Sequence, residues 1–455
     1  MLFQLKMSLK KPVVLIIAAV FFLFGLLLAD IFSATKNFNG YLIILSFTAL
    51  FIGLLLFNMK YALFLLLFMR PVSEHFTDVY FSLPKVGQML NFTSVISILI
   101  IIAGSLYLLI NKPDILHHPL SKPLIAFVAV TFFSILFSTD KRDSLEAWLK
   151  VLSIFIVFLI AQNVIKEKKD LKQLAGVILA SVIVPIAVAF YQLFTGTGNT
   201  ETEGFVRVFG TFTHPLMLAN YTLLVSMIIL VFALGSKDRN LKLASYLVFV
   251  PLGIIFFNTY ARGAWLTLIA LLIILSVLKY RQLLVVLPVL LIIVALFSSG
   301  NIASRFEDLS SDGAAQGKYY ANSLESREAL WQKNFTLFLT SPVVGNGFGS
   351  SRRLVHEETH NDYLRVLTET GILGFIAYLW LLFAMVTTGW KSYKESSDKY
   401  LNNFSLAFFL IAVAYLILSL EGNILINGAF QWTFWSLAAV LFSAKLFKAE
   451  KALGV

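Results

Sequence analysis

The chain of 455 residues contains no cysteine, and charged side chains make up only 13% of it. The first absence excludes disulfides and thiolate metal sites, although alone it assigns no compartment. The second, set beside 58% hydrophobic residues, leaves too little polar material to clothe a water-exposed surface. Strands of alternating polarity, which would mark a membrane β-barrel, are also missing. What is present is a succession of apolar runs of about 18 to 22 residues, each able to cross roughly 30 Å of hydrocarbon as a helix. The expectation is an all-α protein, a polytopic membrane helix bundle embedded in a lipid bilayer.

Candidate spans run from Val13 to Phe32, Tyr41 to Phe57, Ala62 to Met69, Phe92 to Ile110, Leu120 to Phe137, Trp148 to Val164 and Leu171 to Phe194. They continue from Leu216 to Leu234, Leu241 to Phe257, Ala264 to Leu278, Leu283 to Phe297, Gly371 to Trp390, Phe404 to Leu420 and Leu425 to Phe447. The count is about 12 to 14 transmembrane helices, because the third run is short for a crossing. The first run follows Lys6, Lys10 and Lys11. It is long for a signal peptide and lacks a small-residue cleavage site, so it reads as an uncleaved span.

Charge orients these spans. With both termini cytoplasmic, the inside segments carry 21 basic and 7 acidic residues and the outside segments 15 and 18, which sum to the chain's 36 and 25. This is the positive-inside pattern. The net charge of +11 then follows from topology and implies no nucleic-acid partner.

The two kinds of cation divide differently. Of 25 lysines, 19 fall inside, where they face anionic lipid. Of 11 arginines, 9 fall outside: Arg70, Arg142, Arg207, Arg262, Arg305, Arg327, Arg352, Arg353 and Arg365. A guanidinium is a planar fork matched to phosphate oxygens, so an anionic, phosphorylated ligand on the external face is expected. The plainer reading makes them loop arginines paired with external acids.

Between Ser298 and Asp362 the apolar character collapses over roughly sixty residues, a length that marks a functional or disordered loop. Within it, SREALWQKNFTLFL (Ser326 to Leu339) places Leu330, Trp331, Phe335 and Phe338 at helical spacing, with Ser323 or Ser326 as the N-cap. Ser341-Pro342 ends that helix, and VVGNGFGSS forms a glycine-rich turn back to the membrane. The loop is therefore expected to be partly helical and to lie on the external face.

The stretch HEETHNDYLRVLTETG follows, from His356 to Gly371. Helical spacing places His360, Leu364, Leu367 and Gly371 on one face, with Gly371 permitting close backbone approach and a bend. Its first five residues match H-E-x-x-H, a zinc-protease pattern that requires a stable helix and a third protein ligand. Glu201, Glu203, His214 and Glu421 are candidates for that ligand, and nothing in the sequence selects one. In the alternative, His360 is a metal-free general base, since an imidazole near pKa 6.5 accepts a proton at neutral pH.

Two arginines at membrane depth bear on the choice. Arg262, in FFNTYARGAWLTL, has apolar sequence on both sides and is expected to face a cavity or to snorkel to the headgroups. Arg207, in EGFVRVFGTFTHPLMLAN, enters the eighth span through a turn shaped by Gly210 and Pro215. Two arginines and a histidine on one membrane face suggest phosphate held by cations beside a base.

RVFGTFTHP around Arg207, the Arg262 to Leu266 segment, SREALW with SPVVGNGFG, and HNDYLRVLTETGILG together resemble the O-antigen ligase and polymerase superfamily of bacterial envelope enzymes, over about Gly204 to Gly374. The resemblance implies a glycosyltransferase of the bacterial inner membrane, active on the periplasmic side and needing neither metal nor other cofactor. It would move a glycan from an undecaprenyl-diphosphate donor to an acceptor hydroxyl, on a lipid A-core glycolipid for a ligase or on another glycan for a polymerase. By the same resemblance Arg207 and Arg262 would bind the diphosphate and His360 would activate the acceptor. Arg327 would add a phosphate or sugar contact, and Glu358 would orient His360. The chain divides into N-terminal spans (1–194), central spans with external arginines (195–298), the periplasmic loop (299–361) and C-terminal spans (362–455). A protein-glycosylating relative, a zinc protease and a transporter are the alternatives; the nearly charge-free spans and the lack of an internal repeat weigh against transport.

Overall fold

The computed structural model describes residues 51, 53, 54, 58–74, 80–82, 89–199, 206–285, 288 and 324–441. The spans expected at Val13 to Phe32, Tyr41 to Phe57 and Leu283 to Phe297 lie wholly or mostly outside these residues, as do Glu201, Glu203, Arg305, Ser323 and the first part of the loop. Described helices are α1 (Met59–Ser73), α2 (Phe92–Asn111), α3 (Ser121–Ser134), α4 (Lys141–Val164), α5 (Lys168–Ser181), α6 (Ile183–Thr195), α7 (Pro215–Gly235), α8 (Arg239–Asn258) and α9 (Arg262–Leu278). After the loop come α10 (Leu324–Thr340), α11 (Ser351–Val355), α12 (Asp362–Glu395), α13 (Lys399–Glu421) and α14 (Gly428–Val440). A small antiparallel hairpin, β1 (Tyr80–Ser82) with β2 (Met89–Asn91), precedes α2 and leaves the all-α architecture intact.

By length and composition, six of these units can cross a membrane: α2, α4, the α5–α6 pair, α7, α12 and α13. Three shorter apolar segments, comprising α3 with the 3-10 turn Ile135–Phe137, α8 and α9, pack among them. The run from Leu171 to Phe194, expected as one helix, is broken near Val182. Pro185 has no N–H for the Ser181 carbonyl, which removes the bond that would join α5 to α6.

Polar contacts define the two ends of the bundle. At one end Lys60 pairs with Asp170 at 2.8 Å, Lys168 pairs with Asp398, and Lys279 Nζ donates to Asn402 and Asn403, each at 2.9 Å. These contacts gather the starts of α1, α5 and α13 with the end of α9. At the other end Thr211 Oγ1 donates to Pro71 O (2.7 Å), Phe348 N to Ser134 Oγ (3.0 Å), and Leu425 N to Asp362 Oδ2 (3.0 Å). Arg70, Arg207, Arg262, Arg327, Arg352, Arg353 and Arg365 all belong to segments at this second end. The expected division between lysines and arginines is thus a division between opposite ends of the fold.

Gly371 bends α12, as its position suggested. Its φ of 64° and ψ of −166° interrupt the helix, and a Cβ there would strike the Val343 carbonyl. Ile372 N and Leu373 N instead donate to Pro342 O (2.9 Å) and Val343 O (3.4 Å), so the glycine turn of the loop sits in the break. Beside it the buried Glu369 accepts from Gly349 N at 2.8 Å and from Ser351 N at 3.2 Å, and pairs with Arg365 Nε at 3.2 Å. A fully desolvated carboxylate needs this many donors.

Candidate active site

Three segments meet at the arginine end. The first, 206–214, is held from both sides: Arg207 exchanges backbone bonds with Asn199 (2.8 and 2.9 Å), and Val208 N donates to Asn258 O at 3.1 Å. Gln192 of α6 clamps the turn by accepting from Phe209 N (2.9 Å) and Gly210 N (2.8 Å) and donating to Gly210 O (3.0 Å). Gly210 permits that turn with φ 59°. The second segment is the α8–α9 junction, where Arg207 Nε donates to Thr259 O at 3.0 Å, placing its guanidinium beside the start of α9 and Arg262.

The third segment runs from His356 to Asn361 and is pinned by α10. Trp331 Nε1 donates to Thr359 O (3.1 Å), Thr359 Oγ1 to Asn334 Oδ1 (3.3 Å), and Thr368 Oγ1 to Asn334 O (3.1 Å). Arg327, one turn before Trp331, is thereby brought beside His360. Ser326 lies inside α10 rather than capping it. Leu330 faces inward, whereas Phe335 is exposed.

Contrary to the spacing, His360 does not share a helical face with Leu364. Asn361 caps α12, its side chain accepting from Leu364 N at 3.0 Å, and the helix begins at Asp362. His360 therefore stands just ahead of the helix, in the left-handed region with φ 50°. Tyr260, two residues before Arg262, is also left-handed at φ 51°. Such conformations are costly for non-glycine residues and cluster where function requires them. The zinc-protease geometry fails for the same local reason. His356 is the left-handed C-cap of the short α11, and the residues from His356 to Asn361 form no helix, so the two imidazoles are not on adjacent turns. Among the described residues no three His, Asp or Glu side chains form a metal-holding group.

The electrostatics follow from this assembly. Arg207 is 7% exposed, and burial, aided by Arg262, pulls its guanidinium down to about 10. Among the described residues no carboxylate pairs with it. Arg327 is likewise lowered by burial, with Glu421 opposing the shift and Arg262 adding to it. His360 is lowered by burial and by Arg327, against smaller opposing effects of Glu358 and Glu357. Its Nδ1 is buried without a hydrogen-bond partner, which leaves Nε2 as the accessible nitrogen. Glu358 pairs with Arg352 (3.4 Å) and Arg365 (3.9 Å) while influencing His360 through space. The fold thus brings together all five residues singled out in the sequence.

Two further groups complete the cluster. His214 caps α7, its Nδ1 accepting from Leu216 N at 3.1 Å. Burial, with Arg207 and His360 adding to it, lowers His214 to about 4. Glu421, at the end of α13, lies over Gly263 in the first turn of α9, within electrostatic reach of Arg262 and Arg327. The sequence offers both only as external candidates for a third zinc ligand, a role the non-helical His356 to Asn361 segment does not support.

The chain has no match among curated proteins. Residues 247–379 match the family described as O-antigen ligase, a stretch that contains Arg262, Arg327, Glu358, His360 and the Gly371 bend, with Arg207 and His214 upstream. Over that stretch this multi-pass membrane protein is similar to the O-antigen ligase family.

Proposed function

We propose that the protein transfers a glycan from undecaprenyl diphosphate to an acceptor hydroxyl at the periplasmic face of the bacterial inner membrane. Arg207, Arg262 and Arg327 hold the diphosphate, and His360 Nε2 takes the acceptor proton. The hydroxyl oxygen then attacks the anomeric carbon, the bond from that carbon to the diphosphate oxygen breaks, and undecaprenyl diphosphate leaves as an anion. The single observation that carries this reading is the buried guanidinium of Arg207, set beside Arg262 with no described carboxylate to neutralise it. Burying a cation without a counter-charge is expensive, and a bound polyanion removes the cost. The same cations stabilise charge as it develops on the leaving group.

Ligase and polymerase differ in this scheme only in the acceptor, a lipid A-core glycolipid or another lipid-linked glycan. One assay tests the reaction and names the acceptor: purified protein, undecaprenyl-diphosphate-linked glycan and each acceptor in turn. Transfer lost in His360→Ala, Arg207→Ala and Arg262→Ala, with the proteins still folded, is the expected result. Full transfer by His360→Ala removes its role as base.

A further inference from the structure

A cavity of about 640 Å³ opens at the arginine end between α4, α11 and α14, and none of Arg207, Arg262, Arg327, His360 or Glu421 lines it. Its volume lies within the roughly 300–1,000 Å³ typical of small-molecule sites. Arg70, Glu74 and Trp432 form its buried depth, and Glu146, Lys150 and Arg352 its open rim.

Five cations and four carboxylates line this cavity, and each cation has a carboxylate partner. Arg70 pairs with Glu74 at 2.8 Å and lies over the Trp432 ring at 5.1 Å. Lys150 pairs with Glu146 at 3.3 Å and Arg352 with Glu358 at 3.4 Å. A wall of paired charges offers fixed donors and acceptors without a strong net field. A sugar hydroxyl, which both donates and accepts, meets such a wall well; a phosphate, which only accepts, meets a carboxylate beside every cation.

The cavity is separated from the arginine cluster by two short segments. His356 and Glu358 line it, while His360, two residues past Glu358, belongs to the other side. Thr213 lines it as well, and the adjacent His214 interacts with His360. The H-E-x-x-H stretch is thus a partition, with its first histidine on the cavity and its last among the arginines.

We propose that this cavity seats the uncharged, hydroxyl-bearing end of the acceptor glycan and presents one hydroxyl across the partition to His360. The assignment rests on the glycan-transfer reading given above. Specificity for the acceptor then resides in the Arg70–Glu74 and Lys150–Glu146 pairs, separately from donor binding at Arg207, Arg262 and Arg327.

The test uses the full-length protein in phospholipid nanodiscs with two probes, undecaprenyl diphosphate and a neutral hexose trisaccharide, plus the singly phosphorylated trisaccharide for comparison. Lys150→Trp, which fills the open rim, and Glu146→Ala, which removes a rim acceptor, should each weaken trisaccharide binding by about tenfold while leaving undecaprenyl diphosphate binding unchanged. Arg207→Ala should do the reverse. If Lys150→Trp loses both ligands through misfolding, Glu146→Ala decides. The proposal is overturned if the wild type does not bind the trisaccharide, if binding survives the deciding rim substitution, or if the phosphorylated form binds about tenfold more tightly. Undecaprenyl diphosphate binding indifferent to Arg207→Ala would instead remove the diphosphate site, with the cavity still judged by the trisaccharide.

Discussion

The carboxylate of Glu421 occupies the space that a Cβ on Gly263 would fill. α13 ends against the first turn of α9, where unpaired backbone N–H groups favour a negative charge. From there Glu421 acts on both Arg262 and Arg327. Gly263→Ala displaces the carboxylate and disturbs the setting of both arginines. Transfer should fall by about tenfold or more, since small misplacements of binding groups are costly. Comparing transfer rate with thermal stability checks this, because a merely structural glycine would lower both together.

The three arginines differ in their neighbours and should differ in effect. Arg207 has no described acid partner, whereas Arg327 feels Glu421. Arg207→Ala relieves an uncompensated buried charge, so it should leave stability unchanged or raised while reducing transfer by about 100-fold, the usual scale for removing a transition-state donor. Arg327→Ala leaves Glu421 with one fewer cation and should lower stability as well. Thermal unfolding of the two variants separates these outcomes. An Arg207→Ala protein with wild-type transfer contradicts the diphosphate assignment.

Much of this site was legible in HNDYLRVLTETG and FFNTYARGAW, because an arginine at membrane depth and a glycine in an apolar helix have few bland explanations. Gly371 is legible as a point of close approach, since the absence of a side chain is itself the signal. For His360 the periodicity misleads. Periodicity carried the helix back through it, while Asn361 supplied a cap that starts α12 after it. His214 and Glu421 enter the sequence reading only as candidate third ligands for a zinc ion, not as neighbours of the arginines and His360. Their roles depend on which ends meet, and pairwise packing of helices far apart in sequence leaves no trace in a single chain.

Gly371→Ala is expected to damage the fold rather than the chemistry. Its backbone is left-handed in φ, and Val343 lies where the methyl group would go. Strain of this kind costs about 1–3 kcal/mol, and the contact adds to it. The variant should unfold at a lower temperature, and transfer per folded molecule should stay within about twofold of wild type if the site remains seated. A large loss of transfer at unchanged stability would mean that the bend positions His360 directly.

Metal chelation tests the H-E-x-x-H stretch independently. The segment from His356 to Asn361 is not helical and α11 ends before it. Zinc catalysis by two histidines on successive turns therefore lacks its scaffold. EDTA should leave transfer unaltered. Inhibition by EDTA that added zinc restores would return the metal reading.

The acid limb of the pH profile should report His360. Burial lowers its pKa from the usual 6.5, and Arg327 lowers it further. The base acts when unprotonated, so kcat/KM should be flat near neutrality and fall as pH drops through a midpoint below 6.5. The direction of each neighbour's effect can be separated by substitution. Arg327→Gln removes a cation that disfavours imidazolium, so the midpoint should move up. Glu358→Gln removes an anion that favours it, so the midpoint should move down. Opposite shifts in the two variants, measured with saturating acceptor, tie the titrating group to this imidazole. Equal profiles in both would assign the limb to a group elsewhere in the protein.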